Sequence, residues 1–184
     1  MDVPKLVDEQ VSRRKWGKQT LERKFQLPNG EIADYWIWGG TVVPSIIFPI
    51  TADLKVVALK QFRYGANDVV IEIPGGCPDS GEISEEVARR ELEEETGYTA
   101  EKFVKLGSPL WFEPANCTTP YVPILALGCR KVGEPKPDET EFVETVTYSV
   151  SDWIGKIQCG EIRDSKTIAI TFLALLHLGF LKST

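Results

Sequence analysis

Between Gly75 and Tyr98 the chain reads GGCPDSGEISEEVARRELEEETGY, with glutamates at positions 82, 85, 86, 91, 93, 94 and 95. The segment from Ile83 to Thr96 is helical by composition. Ser84 is a plausible N-cap, Glu85 and Glu86 sit at the positive end of the helix dipole, and Gly97 is a C-terminal stop. Positions i, i+3 and i+4 share a helix face, so Glu91, Glu94 and Glu95 project together while Val87, Ala88 and Leu92 turn toward a core. Like charges at that spacing repel by about 0.2–0.5 kcal/mol per exposed pair, and by more where partly buried. The helix is therefore an apolar cover on one side and an overcharged surface on the other.

The core lies in the segments around it. From Thr41 the pattern becomes TVVPSIIFPI, KVVALKQFRYG and DVVIEIPGG, short β-branched runs separated by turn residues, as expected for strands of a buried sheet. After the helix come strand-like KFVKLGSPLWF and TPYVPILALGCRKV, a polar loop GEPKPDETEF, and strand-like VETVTYSV. A helix at about 151–156, a turn at CGEIRD and a final helix from about Ser165 to Leu178 close the chain. Residues 1–40 are expected to form a long hairpin arm turning at LPNG, outside the main domain of residues 41–184.

Several function classes are set aside by composition. A net charge of -6 and a pI near 5.0 oppose nucleic-acid binding through the general surface field, which needs an excess of Lys and Arg. No apolar run of 18 residues occurs and MDVPKLVDEQ lacks the pattern of a signal peptide, so a soluble cytoplasmic protein with no membrane partner is expected. Cys77, Cys117, Cys129 and Cys159 show no C-x-x-C spacing and read as free thiols. The single histidine, His177, lies in the apolar run ITFLALLHLGFL and reads as a core or surface imidazole, which disfavours a histidine triad.

A divalent cation would reverse the repulsion on the acidic helix, and hard carboxylate oxygens select magnesium or manganese, magnesium being commonly shared with a substrate phosphate. A solvated acidic face is the plain alternative, and spacing decides against it. Gly76, Glu82, Arg90, Glu91, Leu92, Glu94, Glu95, Gly97 and Tyr98 fit G-x5-E-x7-R-E-U-x-E-E-x-G-U, where U is bulky and apolar. Seven fixed letters, each at about 5–7% background frequency, coincide by chance on the order of once in 10⁸–10⁹ windows.

This stretch resembles the signature box of the Nudix hydrolases, metal-dependent enzymes that cleave a diphosphate joining a nucleoside to another moiety. The resemblance implies an α/β fold, an α/β/α sandwich with a mixed curved sheet, here carrying an N-terminal β-hairpin arm. It implies Mg2+, with Mn2+ as a substitute, held by Glu91 and Glu95, by Glu94 as third carboxylate, and by the carbonyl of Gly75. Arg90 becomes an orienter of carboxylate rotamers, and Glu82 a brace between loop and helix.

The flanks resemble the ADP-ribose pyrophosphatase and nucleoside diphosphate sugar branch. Gln61 and Arg63 match its Q-x-R strand and Glu72 its E-[IL]-P-x-G entry, which offers Arg63 as a phosphate grip, a surface arginine being the alternative. Pro114 stands sixteen residues beyond Tyr98, where the branch has a proline, but in the context Glu113-Pro114-Ala115 instead of S-P-G. That departure leaves the sugar open. KPDETEFVE resembles the loop that carries the catalytic base: Glu139 is assigned the base and Glu141 a water-mediated metal partner, roles the two positions could exchange.

The branch also exchanges its N-terminal arm between two subunits, which makes Trp16, Tyr35 and Trp36 candidates for a nucleobase pocket in a homodimer. Cover for a hydrophobic patch is the alternative. The implied reaction converts a nucleoside diphosphate sugar, ADP-ribose foremost, to a nucleoside monophosphate and a sugar phosphate. The competing readings are a hydrolase of another diphosphate, such as a dinucleoside polyphosphate, and a Nudix module that binds a nucleotide sugar without cleaving it.

Overall fold

Alternating β-branched residues become strands and the acidic segment becomes a helix, in a computed structural model that describes residues 1–15, 17–138 and 140–181. Strands β1 (Lys5–Lys15), β2 (Lys18–Gln26) and β3 (Ile32–Gly40) form an antiparallel sheet in that order, one strand more than a hairpin. LPNG makes the turn between β2 and β3, with the Gly30 N–H donating to the Leu27 carbonyl at 2.9 Å. The strand β1, KLVDEQVSRRK, is exposed almost throughout and has no apolar face that would announce it.

The chain continues through β4 (Ser45–Thr51), β5 (Lys55–Arg63), β6 (Asp68–Glu72) and β7 (Gly75–Gly76) to α1 (Ser84–Thr96). Then follow β8 (Tyr98–Thr99), β9 (Lys102–Lys105), β10 (Leu110–Trp111), β11 (Pro120–Lys131), β12 (Val143–Ser149), α2 (Val150–Gln158) and α3 (Ser165–His177). Two compact units result: Met1–Val43 with Leu110–Tyr121, and Pro44–Pro109 with the chain from Val122. In the first unit the segment before β11 is laced to β3, the Trp38 N–H donating to the Asn116 carbonyl and the Thr118 N–H to the Trp38 carbonyl, each at 2.9 Å.

The second unit is built on a mixed sheet in the order β11-β4-β5-β12. Strands β11 and β4 run parallel, while β4–β5, β5–β12 and β5–β6 are antiparallel. A register shift between Leu127 and Cys129 marks a bulge, a device that bends a strand. Because side chains alternate along a strand, Ile47 and Phe48 of β4 face opposite ways. Ile47 joins Val57, Ile124, Ala126 and the inward face of α1, Ala88 and Leu92, in one buried cluster. Phe48 meets Trp153 of α2 edge-on, centroids 6.5 Å apart, and the Trp153 indole donates to Thr171 of α3 at 2.9 Å. One helix on one face and two on the other give the α/β/α sandwich. Each fully buried Leu, Ile or Val contributes about 1.5–3 kcal/mol.

Helix ends differ from expectation in detail. Ser84 is the first helical residue, not the cap. The cap position is Ile83, whose N–H is taken by Glu86 Oε2 at 2.9 Å. Gly97 ends α1 at φ +71, a left-handed conformation that favours glycine, with its N–H on the Glu93 carbonyl at 2.8 Å. The helix expected at 151–156 extends over Val150–Gln158, capped by the Ser149 hydroxyl, which accepts from the Asp152 N–H at 3.1 Å. None of the four cysteines is in a disulfide, and His177 is exposed on the last turn of α3.

Candidate active site

With Val87, Ala88 and Leu92 committed to the core, the other side of α1 holds its carboxylates at graded depth. Glu95 is buried at 5% exposure, whereas the side chains of Glu91 and Glu94 are 14% and 47% exposed. Arg90 ties them together: its Nη1 donates to Glu91 Oε1 at 2.8 Å and to Glu94 Oε2 at 3.0 Å. Its Nε and Nη2 fork onto the two oxygens of Glu82 at 3.0 Å each, and Nη2 also reaches the Cys77 carbonyl at 2.9 Å. Glu82 in turn accepts the Asp79 N–H at 2.7 Å, so it braces the loop against the helix.

The entry loop is shaped to let the carboxylates in. A Cβ on Gly76 would fall 2.1 Å from Glu91 Oε1, so a side chain there would displace the Glu91 carboxylate from its place. The Gly75 N–H donates to Glu95 Oε2 at 2.8 Å, which places the residue expected to offer a carbonyl directly against a metal-ligand candidate. Among the described residues, no three acidic, histidine or cysteine side chains are gathered closely enough to hold a metal ion. Arg90 and the Gly75 N–H hold the carboxylates in separate places, as unscreened like charges require.

Burial pushes the Glu95 carboxyl up to about 8, with Glu91 and Glu141 adding to the shift and the Gly75 N–H opposing it. Burial likewise raises Glu91, against the pull of Arg90. Beside these residues opens a cavity of about 560 Å³ whose wall carries Asp79, Glu91, Glu94, Glu95, Asp138 and Glu141 against two cations, Arg90 and Lys136. Six carboxylates to two cations make a wall that repels a diphosphate unless divalent cations intervene. The donor set is all oxygen, burial raises two of its carboxyls, and a hard dication is the kind of cation such donors take.

The opposite wall is the acidic loop. It is hooked onto α1 by backbone bonds: the Val132 and Gly133 N–H groups to the Gly97 carbonyl at 2.8 and 3.2 Å, and the Lys136 N–H to the Glu94 carbonyl at 2.7 Å. Within the loop the Glu141 N–H donates to the Asp138 carbonyl at 2.8 Å, while the Asp138 N–H donates to Glu141 Oε2 at 3.3 Å. Glu141 thus lies on the cavity wall. Glu139 lies outside the described residues, as does Trp16.

Glu72 is almost fully buried at 2% exposure and accepts from Arg63 Nε at 2.5 Å, with Lys166 Nζ 4.0 Å away. It therefore fixes Arg63, which lines a second cavity of about 400 Å³ with Arg163, Asp164 and Lys166. Sequence reasoning missed Lys166 and Lys136. Lys166 stands in RDSKT, which signals only a helix start, and Lys136 in a loop of mixed charge.

In the first unit, Tyr35 and Trp36 are successive residues of β3 and so face opposite sides of its sheet. Tyr35 packs edge-on to Phe25 at 5.8 Å, and Trp36 lines a cavity of about 380 Å³ with Ser12, Arg13 and Thr20. From β3 the two do not present one stacking surface. Pro114 is exposed in a tight turn closed by the Cys117 N–H on the Glu113 carbonyl at 2.8 Å.

Residues 41–169 match the family model of the NUDIX domain. The chain is 34% identical over 152 residues to an ADP-ribose pyrophosphatase of Bacillus subtilis, covering 82% of this chain and 81% of that protein. Over the same span and coverage it is 33% identical to a methanol dehydrogenase activator of Bacillus methanolicus. A solved structure of an ADP compounds hydrolase matches with a TM-score of 0.84 over 98% of each chain at 19% identity, which bears on the fold alone.

Proposed function

The chain belongs to the Nudix family, and from that premise we propose that it hydrolyses the diphosphate linkage of a nucleoside diphosphate sugar, ADP-ribose foremost. The products are a nucleoside monophosphate and a sugar phosphate. The observation that carries this reading is the cavity wall of six carboxylates and two cations, with Arg90 clamping three of the box glutamates. The similarity to an ADP-ribose pyrophosphatase over four-fifths of both chains supports the substrate class.

Glu91, Glu94 and Glu95, with the Gly75 carbonyl, would hold Mg2+, for which Mn2+ can substitute. When bound, the cation neutralises charge on the diphosphate oxygens. Arg90 orients the carboxylates, which would otherwise turn from one another. Arg63, fixed by Glu72, offers its free N–H groups to a phosphate oxygen. The acidic loop supplies the general base that takes the proton of the attacking water, Glu139 first and Glu141 as its partner, with the two roles exchangeable.

The same proposal includes a twofold homodimer in which residues 1–40 form an exchanged arm whose aromatics, Trp16, Tyr35 and Trp36, together with Pro114, border the nucleoside end of the substrate. Its support is the exposure of Tyr35, Trp36 and Trp38 at 47%, 65% and 46%, much apolar surface for one small sheet. Cytoplasmic residence is proposed from four cysteines with no disulfide among them. No helix among the described residues is long and apolar enough to cross a membrane.

The decisive experiment is a panel of diphosphate compounds with Mg2+, the products being identified by mass. ADP-ribose cleaved fastest, with AMP and ribose 5-phosphate as products, is the expected result. Cleavage restricted to dinucleoside polyphosphates would replace the substrate class, and binding without cleavage of any compound would leave a nucleotide-sugar module.

A further inference from the structure

We propose that Tyr64 is a positioning residue that holds the acidic loop in register with the carboxylates of α1. The inference rests on the reading that this loop carries the general base. Tyr64 directly follows Arg63 at the end of β5, and at 69% exposure its ring gains little from burial. Its position is set by Phe62, which it meets edge-on at 5.4 Å and 89°. From there its hydroxyl donates to the Thr140 carbonyl at 3.3 Å, across 76 residues of sequence.

That carbonyl belongs to the peptide unit joining Thr140 to Glu141. The N–H of the same unit donates to the Asp138 carbonyl at 2.8 Å. A peptide unit is planar, so fixing its oxygen through Tyr64 and its hydrogen through Asp138 fixes the plane from which the Glu141 side chain departs. On the far side of Glu141, the Phe142 carbonyl accepts the Phe62 N–H at 3.1 Å. The carboxylate-bearing turn is thus pinned on both sides by the two aromatic residues flanking Arg63. One strand end then orients both the phosphate-gripping arginine and the loop. Without the phenol hydroxyl the plane is held from one end only, and the loop carboxylates sample directions that face away from the cavity.

A hydroxyl bond at 3.3 Å is long, so the expected effect is modest. Tyr64→Phe keeps the ring and its contact with Phe62 and removes the hydroxyl alone. On the compound the enzyme cleaves fastest, it should lower kcat by about three- to fivefold. KM should remain within about twofold, and the dissociation constant for Mn2+ and the melting temperature should be unchanged. An unchanged kcat, or a rise in KM with kcat intact, overturns the proposal, because Tyr64 would then be idle or a substrate contact. Glu139→Gln and Glu141→Gln are measured alongside. If either is crippled while Tyr64→Phe is wild-type, only the positioning role falls. If neither is impaired, the loop carries no base and the reading beneath the proposal falls with it.

Discussion

Helices α1 and α3 have thirteen residues each and cover opposite faces of one sheet, yet they solve that task differently. In α3, SKTIAITFLALLH, the buried set is Thr167, Ile170, Thr171, Ala174 and Leu175, and both threonine hydroxyls are bonded. Its first turn is capped by Asp164, which accepts the Thr167 N–H at 2.9 Å. In α1, SEEVARRELEEET, only Val87, Ala88 and Leu92 are apolar and buried, the cap residue Ile83 offers no side-chain acceptor to the first turn, and a carboxylate, Glu95, takes a core position. Propensity and packing build α3. In α1, helical stability is given up so that several like charges can stand together, and the deficit is made good by Arg90 and by backbone bonds from two loops.

The contrast is broken most directly at Glu95. Glu95→Gln should cut turnover on the order of 10²–10³-fold while leaving the fold intact and the metal-free melting temperature equal or higher. Near-normal turnover on every good substrate would make α1 merely another covering helix. The counterpart on α3 is Ile170→Ala, which empties a fully buried site. It should cost about 3 kcal/mol, a fall of roughly 6–12 °C in melting temperature, with turnover per folded molecule within about twofold of wild type. A large loss of turnover there would show that the two faces are not separable.

Glu95 also predicts a pH signature absent from α3. Its folded-state carboxyl titrates near 8, above the ordinary value of 4.5, so the metal-free fold holds a proton that the unfolded chain releases earlier. The stability from this group is complete below about 4.5 and is lost as pH rises toward 8. A cation must displace that proton, so Mn2+ affinity should rise by about tenfold per pH unit up to 8 and then level off. Calorimetric titrations at pH 6, 7, 8 and 9 would test this, and a flat profile would remove Glu95 from the ligand set.

The smallest effect belongs to the cap of α3. Burial alone would raise Asp164, but Lys166 and the bonds from Thr167 outweigh it and hold its carboxyl below 3.8. Its contribution is therefore present above 3.8 and lost as pH falls through the lower folded value. Asp164→Ala should cost about 1 kcal/mol at neutral pH, measured by thermal melting, and the difference from wild type should shrink in acid.

What the sequence made legible follows from which constraints act locally. The box around α1 is read because a helix converts fixed spacing into a shared face, and Gly97 is needed in place by the left-handed backbone that ends the helix. The core strands β4 and β5 were legible from their β-branched runs. Strand β1 was not, because its polar residues alternate with no buried face. Pairings between distant segments left no local trace: Glu72 with Lys166, Lys136 with the end of α1, and Tyr64 with Thr140 each depend on how the sheet brings its edges together.

The backbone hooks between the acidic loop and the end of α1 have a consequence for how the molecule opens. The carbonyls of Glu94 and Gly97, which a helix terminus leaves without intrahelical partners, are satisfied by Lys136, Val132 and Gly133, more than thirty residues away. Helix end and loop therefore form one cooperative unit that unzips together rather than in sequence. Amide hydrogens at Val132 and Lys136 should exchange with solvent at the rate set by fraying of the last turn of α1, not at the rate of a free surface loop.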